Sequence, residues 1–280
     1  MKVVHTLAEL RSARKDLPEP VGLVPTMGYL HQGHLSLVQA AHKTCPSVAV
    51  SIFVNPTQFA PTEDLASYPR NLEKDLCLLE EAGVDLVWAP DEKTIYPDRF
   101  QTWVTVQEVT RYLEGFYRPE HFRGVTTIVA KLFNAVQPQQ AFFGQKDAQQ
   151  AVVIKQMVRD LNFPIDIVVC PIVREADGLA LSSRNTYLSP LERQAATILN
   201  KALIAAEKAY LAGERDAERI RQVMHSEFQT EPLANVQYAS CADPRTLQEL
   251  ETISQGALLS VAVYIGKTRL IDNLVLRETP

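Results

Sequence analysis

Hydrophobic residues recur along the first 170 residues in two alternating patterns. Short β-branched runs, of which 47–54 is the clearest, are typical of strands buried on both faces of a parallel sheet. Apolar residues spaced three and four apart, as in 72–82, indicate amphipathic helices between those runs. The predicted strands are 21–25, 47–54, 85–88, 141–143 and 165–169, and the predicted helices are 35–41, 72–82, 125–136 and 148–160.

Strands that alternate with helices of this length imply βαβ crossovers. The pattern therefore predicts an α/β fold with a Rossmann-like, doubly wound parallel sheet. The pattern changes after residue 173, and we predict two domains, residues 1–173 and a smaller α+β domain of residues 174–280. The second domain is predicted to contain helices 190–211 and 216–228 and strands 236–240, 257–265 and 268–275, with a hairpin turn at Gly266-Lys267.

Composition narrows the class of protein. Apolar residues make up 46% and charged residues 22% of the chain, which is typical of a globular protein with a sizeable core. The net charge of −5 argues against a nucleic-acid partner, which requires clustered Lys and Arg. No apolar run approaches the roughly 18–20 residues that span a bilayer, and the first residues lack the apolar core of a signal peptide. The four cysteines show no C-x-x-C spacing, which favours reduced thiols over a disulfide or zinc framework. We therefore expect a cytoplasmic protein with no membrane partner.

The loop after the strand at 21–25 carries two histidines. It reads TMGYLHQGH over 26–34 and lies where open α/β sheets bind ligands, between a strand end and a helix start. Gly28 and Gly33 have the spacing of a P-loop, but His34 stands where that motif requires Lys. Gly33 lets the backbone approach a phosphate, and His31 and His34 can reach one phosphoryl group and stabilise the charge of its transition state. The loop therefore predicts attack on the α-phosphate of ATP, with helix-capping histidines or a zinc site as the alternatives.

Polar residues that could bind a substrate follow the predicted strands 47–54 and 141–143 and the domain junction. Gln58 can donate and accept hydrogen bonds, which suits a substrate with hydroxyl and carboxylate groups, although an exposed glutamine is equally compatible. Lys146 can bind phosphate and Asp147 can accept from ribose hydroxyls, unless both belong to a solvated loop. Ser182–Arg184 can wrap the β- and γ-phosphates, unless it is an ordinary linker.

Short motifs of this kind are distributed over essentially the whole chain. They are PTMG at 25–28, HQGH at 31–34, SIFVNPTQF at 51–59, YPR at 68–70, HFRGV at 121–125, FGQKD-x-QQ at 143–150, DGLALSSRN at 177–185 and RLIDN at 269–273. In this order they resemble the pantothenate synthetases, a family of the nucleotidyltransferase superfamily that carries His-x-Gly-His. Each motif is weak alone, but the ordered set is specific.

The resemblance implies a function and a site. The implied reaction is the ATP-dependent ligation of pantoate and β-alanine to pantothenate, in coenzyme A biosynthesis, through a pantoyl adenylate and with release of AMP and pyrophosphate. ATP with Mg²⁺ as the substrate complex and a homodimer are also implied. The implied catalytic residues are His34, His31, Lys146 and Arg184, and the implied pantoate and β-alanine ligands are Gln58 and Gln150. The expected ATP contacts are Met27, Gly28, Tyr29, Leu30, His31, Gln32, Gly33, His34, Gly144, Gln145, Lys146, Asp147, Val173, Leu181, Ser182, Ser183 and Arg184.

Some questions stay open at this point. Gln145 stands where most relatives are expected to have Glu, so an acidic role at that position is lost. No carboxylate motif names an Mg²⁺ ligand, although Asp75 could lie near the ion. A different nucleotidyltransferase would use ATP regardless of pantoate, and a non-catalytic ATP sensor or scaffold would bind ATP without turnover.

Overall fold

A computed structural model describes residues 1–61 and 63–277, and a six-stranded sheet forms the first part of its fold. The strands are β1 Lys2–Val4, β2 Val21–Thr26, β3 Ser47–Ile52, β4 Leu86–Trp88, β5 Gln140–Gly144 and β6 Asp166–Cys170. All neighbouring strands are parallel, in the order β1-β4-β3-β2-β5-β6. Because the chain runs outward from β2 in both directions, the predicted doubly wound sheet is confirmed. Ligands bind such sheets in the crevice beyond the carboxyl ends of the strands where the order reverses, here between β2 and β5.

Helices cover both faces of this sheet. They are α1 Leu7–Lys15, α2 Gln32–His42, α3 Leu72–Glu81, α4 Glu92–Ile95, α5 Leu113–Tyr117, α6 His121–Val136 and α7 Ala148–Asp160. Leu23 and Val24 are consecutive in β2 and fully buried, yet they belong to different apolar clusters. The strands are therefore covered on both faces, as their continuous apolar runs predicted. Within residues 1–61 and 63–277, no helix combines the length and apolar character needed to cross a membrane.

The C-terminal part has its own apolar cluster and its own sheet. Its helices are α8 Pro190–Ala195, α9 Ile198–Leu211 and α10 Ala217–Phe228, and its antiparallel strands are β7 Ala234–Ala242, β8 Ala257–Ile265 and β9 Thr268–Leu276. Ile265 pairs with Thr268 and Gly266 has a φ of +58°, so the predicted hairpin turn is confirmed. A smaller α+β unit therefore follows the parallel sheet, and its boundary at residues 173 and 174 stays a prediction.

The prediction of one long helix over 190–211 is wrong. The segment forms α8 and α9, which are separated at Ala196 and Thr197. The backbone N–H groups of Thr197 and Leu199 donate to carbonyls three residues back, those of Gln194 and Ala196, at 3.3 Å each, so the i→i−4 ladder is interrupted here. The prediction also missed β1 and α1, although Thr6 and Glu9 form a capping box at the start of α1.

Candidate active site

A cleft of about 740 Å³ lies between the carboxyl edge of the parallel sheet and the C-terminal sheet. Eight of the residues predicted from the sequence line it: Met27, His34, Gln58, Lys146, Asp147, Gln150, Ser182 and Arg184. The remaining predicted residues lie outside the lining of the cleft as the structure describes it: Gly28, Tyr29, Leu30, His31, Gln32, Gly33, Gly144, Gln145, Val173, Leu181 and Ser183. The fold thus brings together residues from four separate segments of the chain.

The two histidines of the loop after β2 form the start of α2. His31 is the N-cap, and its Nδ1 accepts the Gly33 N–H at 3.1 Å. The Nδ1 of His34 in turn accepts the His31 N–H at 3.2 Å. This reciprocal arrangement is a capping box in which imidazoles replace the usual Ser and Glu. Because both Nδ1 atoms accept, the hydrogen-bond pattern assigns the proton of each neutral ring to Nε2.

Both imidazoles are neutral at pH 7. Burial, together with the charge of Lys146, lowers the pKa of His31 to about 4. Burial, with His31 and Lys146 as further causes, lowers the pKa of His34 to about 3. The ring centroids lie 4.1 Å apart. Each ring can therefore donate through Nε2–H without first taking up a proton. His34 lines the cleft, and His31 lies beside it, outside the lining.

The loop between β2 and His31 is held by hydrogen bonds to the side chain of Asp75 in α3. The carboxylate accepts the backbone N–H groups of Tyr29 and Leu30, each at 2.7 Å, and the residue is only 2% exposed. Gly28 has a φ of +80°, which favours glycine. A Cβ on Gly33 would lie 2.9 Å from the His31 ring, so a side chain at this position would displace the imidazole.

Asp75 was predicted only as an acid that could lie near Mg²⁺. The structure places its carboxylate against the loop between β2 and α2, where it accepts two backbone N–H groups. A signal for this role does exist in the sequence, because Asp75 lies on the buried face of α3 together with Leu79. An unpaired acid on an apolar face requires nearby donors, but the pattern does not say which ones.

Gln58 lies in a one-turn helix, Pro56–Gln58, directly after β3. The buried Asn55 side chain donates to Gln58 Oε1 at 3.2 Å, and Gln58 Nε2 contacts Met27 Sδ at 2.9 Å. Asn55 is itself held by the Gly124 carbonyl and the Tyr96 hydroxyl. The amide of Gln58 is therefore oriented on the cleft wall, next to the histidine loop.

The segment that contains Arg118 and His121 contacts the backbone of Gln58. His121 Nδ1 donates to the Gln58 carbonyl at 2.9 Å, and Arg118 contacts His121 Nε2 at 3.3 Å. Burial and the charge of Arg118 lower the pKa of His121 to about 4, so this ring is also neutral. Arg118 forms a bidentate pair with Glu63 at 2.6 and 2.7 Å. Arg118 and His121 therefore anchor the cleft wall.

Lys146 lies on a one-turn helix, Gln145–Asp147, between β5 and α7. Its ammonium lines the cleft and has no hydrogen-bond partner within the part of the chain that the structure describes. The Gln145 side chain points away from it and donates to Asn273 Oδ1 of β9 at 3.0 Å. Gln145 therefore contacts the C-terminal sheet.

Arg184 follows Ser182, whose hydroxyl caps the one-turn helix Ser183–Tyr187. Its guanidinium lines the cleft and is paired with Asp64 through Nε at 3.0 Å and Nη2 at 2.8 Å. Burial opposes the ionisation of Asp64, but Arg184 outweighs it, so the pKa of this carboxyl lies below its usual value. Ser183 contacts the Tyr68 hydroxyl at 3.3 Å. The segment thus closes against the loop that carries Asp64.

No group of three His, Cys, Asp or Glu side chains among residues 1–61 and 63–277 is placed to hold a metal ion.

Comparison with known proteins gives one consistent result. The family model described as pantoate-beta-alanine ligase matches residues 2–275. A pantothenate synthetase of Herpetosiphon aurantiacus is 60% identical over 277 residues, which cover 99% of this chain and 100% of that protein.

Solved structures agree with this result. The crystal structure of pantothenate synthetase from Thermus thermophilus superposes with a TM-score of 0.94 at 49% identity, over 98% of this chain and 99% of that one. A pantoate-beta-alanine ligase from Francisella tularensis, crystallised with beta-gamma ATP and beta-alanine, gives a TM-score of 0.80 at 36% identity, over 100% of this chain and 99% of that one.

Proposed function

This chain belongs to the pantoate-beta-alanine ligase family and is a ligase that joins pantoate to β-alanine, and we propose that it does so through a pantoyl adenylate formed beside His31 and His34. A carboxylate is a poor acylating agent until its oxygen becomes part of a good leaving group. AMP supplies that leaving group, so the pantoate carboxylate attacks the α-phosphate of ATP and pyrophosphate departs. The amine of β-alanine then attacks the acyl carbon, and AMP leaves.

The observation that carries this proposal is the pair of neutral histidines at the head of α2. Their Nδ1 atoms are used by the backbone, which leaves the Nε2–H groups as donors of fixed direction. Donors fixed before the reaction stabilise the extra charge that the phosphoryl oxygens carry in the transition state. Lys146 adds a positive charge near the two rings and is among the causes that lower the pKa of both. Chemistry at the α-phosphate then requires positioning and charge stabilisation, without a covalent enzyme intermediate.

We assign the remaining residues by their positions in the cleft. Gln58 and Gln150 face the same space as His34 and suit the hydroxyl and carboxylate groups of pantoate. Asp147 suits a ribose hydroxyl, and Ser182 with Arg184 suits the β- and γ-phosphates. Mg²⁺ enters with ATP, held mainly by phosphate oxygens. A homodimer in the cytoplasm completes the proposal.

The test measures AMP formation from ATP and Mg²⁺ with pantoate and β-alanine both present, and then with each one omitted. We expect AMP with turnover only when both are present, and pantoate-dependent exchange of radiolabelled pyrophosphate into ATP without β-alanine. AMP or pyrophosphate release that ignores pantoate would indicate another nucleotidyltransferase. Saturable ATP binding without turnover would indicate a sensor. Arg184→Ala should lower the exchange rate, and a change in the KM of β-alanine alone would contradict the assignment of Arg184 to the polyphosphate.

A further inference from the structure

The turn that carries Lys146 is held from the C-terminal sheet by the side chain of Asn273 in β9. Asn273 Nδ2 donates to the carbonyl of Gln145 at 2.9 Å and to the carbonyl of Lys146 at 2.8 Å. Its Oδ1 accepts from Gln145 Nε2 at 3.0 Å. One amide group therefore makes three hydrogen bonds to two consecutive residues of the turn.

These bonds lie in a protected environment. Asn273 is 3% exposed, and the turn itself is a single 3₁₀ turn, which is a weakly held backbone conformation. Gly144, the last residue of β5, still pairs with Cys170 of β6, so the turn residues after it are the ones that depend on contacts outside the sheet. Buried hydrogen bonds that are all satisfied fix the position of the groups they join. The position of the Lys146 backbone therefore depends on Asn273.

Asn273 is in turn fixed by its neighbours in the C-terminal unit. Its backbone N–H donates to Asp272 Oδ1 at 2.8 Å, and Asp272 receives a bidentate pair from Arg174 at 2.6 and 3.0 Å. Arg174 also donates to the carbonyl of Gly178, in the segment that leads to Ser182 and Arg184. The Asp272 side chain is fully buried, so this connection is well ordered.

We propose that Asn273 is a positioning residue for the adenylation step, because it holds the Lys146 turn at the height where the ammonium meets the phosphates of ATP. Lys146 then reaches its working position only when the C-terminal sheet is seated against the parallel sheet. The side chain of Gln145 takes part in the same contact, which gives this position a role that needs no acid. The inference rests on the proposed role of Lys146.

The test is a double-mutant cycle on pantoate-dependent pyrophosphate exchange, with Asn273→Ala, Lys146→Ala and the combined variant. A misplaced catalytic group costs roughly 10²-fold in rate, so we expect Asn273→Ala to lower the exchange kcat by about 10- to 100-fold. The KM of pantoate should stay within about threefold. In the Lys146→Ala background the same substitution should lower the rate by less than about twofold, because there is no ammonium left to position.

Two controls separate positioning from a loss of structure. Ser260→Ala alters β8 directly opposite Asn273, and among the described residues its hydroxyl makes no hydrogen bond to Gln145 or Lys146, so its exchange rate should stay within about twofold of the parent. Asn273→Asp keeps the volume of the side chain and the Oδ1 acceptor but removes the Nδ2 donor. If the Asn273→Ala protein shows no cooperative unfolding in urea, Asn273→Asp is measured in its place.

The outcomes are distinguishable. Wild-type exchange in Lys146→Ala would contradict the proposed role of Lys146. An impaired Lys146→Ala enzyme in which Asn273→Ala causes the same further loss as in the parent would overturn the positioning inference alone. Unchanged exchange in Asn273→Ala or Asn273→Asp would overturn it as well.

Discussion

Replacement of Asp75 by alanine tests whether this buried acid orders the loop of residues 26–34, which carries His31 and His34. The carboxylate accepts two backbone N–H groups at 2.7 Å, from Tyr29 and Leu30, in the turn that precedes the two histidines. Asp75→Ala removes both acceptors and leaves a space at the side chain's position. The loop would then lose its connection to α3 while the sheet beneath it stays intact.

The magnitude follows from the number and type of bonds. A buried donor left without a partner costs about 1–3 kcal/mol, and two are created here. With two such donors buried, we expect the free energy of unfolding to fall by about 2–6 kcal/mol. A histidine pair displaced by about 1 Å should lower pantoate-dependent pyrophosphate exchange by roughly 10²-fold.

The assay combines urea unfolding with the exchange rate, and Asp85→Ala is the matched control. Asp85 accepts the Val48 N–H at 2.7 Å at the opposite, amino edge of the parallel sheet. We expect Asp85→Ala to lose stability, by about 1–3 kcal/mol, with exchange within about twofold of the parent. If Asp75→Ala kept its stability within about 0.5 kcal/mol, or lost stability without losing exchange, the reasoning would be refuted.

Four further predictions concern the charged and titratable groups of the site. His34→Ala should lower the rate of pyrophosphate exchange by about 10²- to 10⁴-fold. His42 is an exposed histidine of α2, and His42→Ala should leave the rate unchanged. Equal exchange rates in the two variants would exclude His34 from catalysis. Asp64→Asn should lower the KM of ATP by about two- to fivefold, because the polyphosphate no longer competes with a carboxylate for Arg184, and a raised KM would contradict this. The pH profile of the exchange rate should show no inflection near 6.5 from His31 or His34, since their pKa values are lowered to about 4 and about 3. An inflection near pH 6.5 that disappears in His34→Ala would show that the pair is not neutral. Because the unfolded chain takes up these protons first, stability should fall as the pH drops from about 6.5 toward 4.

The fold could be predicted from the sequence where burial imposes a simple pattern. The central strands β2 and β3 are covered on both faces, so they appear as continuous apolar runs, and the helices between them follow a clear period. β1 was missed because three residues at a sheet edge carry no period. The interruption at Thr197 was missed because a local change to i→i−3 backbone bonds leaves no mark in a composition that favours a helix on both sides.

The site could be predicted only where its residues lie close together in sequence. His31, Gly33 and His34 interact within one turn, so their spacing already indicated their chemistry. The partners that hold the site lie far away along the chain: Asp75 is 46 residues from Tyr29, and Asn273 is 128 residues from Gln145. No local pattern specifies such pairings, because they arise from the packing of separate elements.

The pairing of Arg184 with Asp64 also bears on how the cleft would empty after adenylation. If Arg184 binds the departing pyrophosphate as proposed, its release need not leave the guanidinium without an anion, because Asp64 can take the vacated positions on Nε and Nη2. Departure of the product would then be an exchange between two anions on the same cation, which avoids the cost of leaving a buried charge unpaired. The Asp64 carboxylate would thus act as the counter-ion of Arg184 between turnovers and would compete with pyrophosphate for the guanidinium.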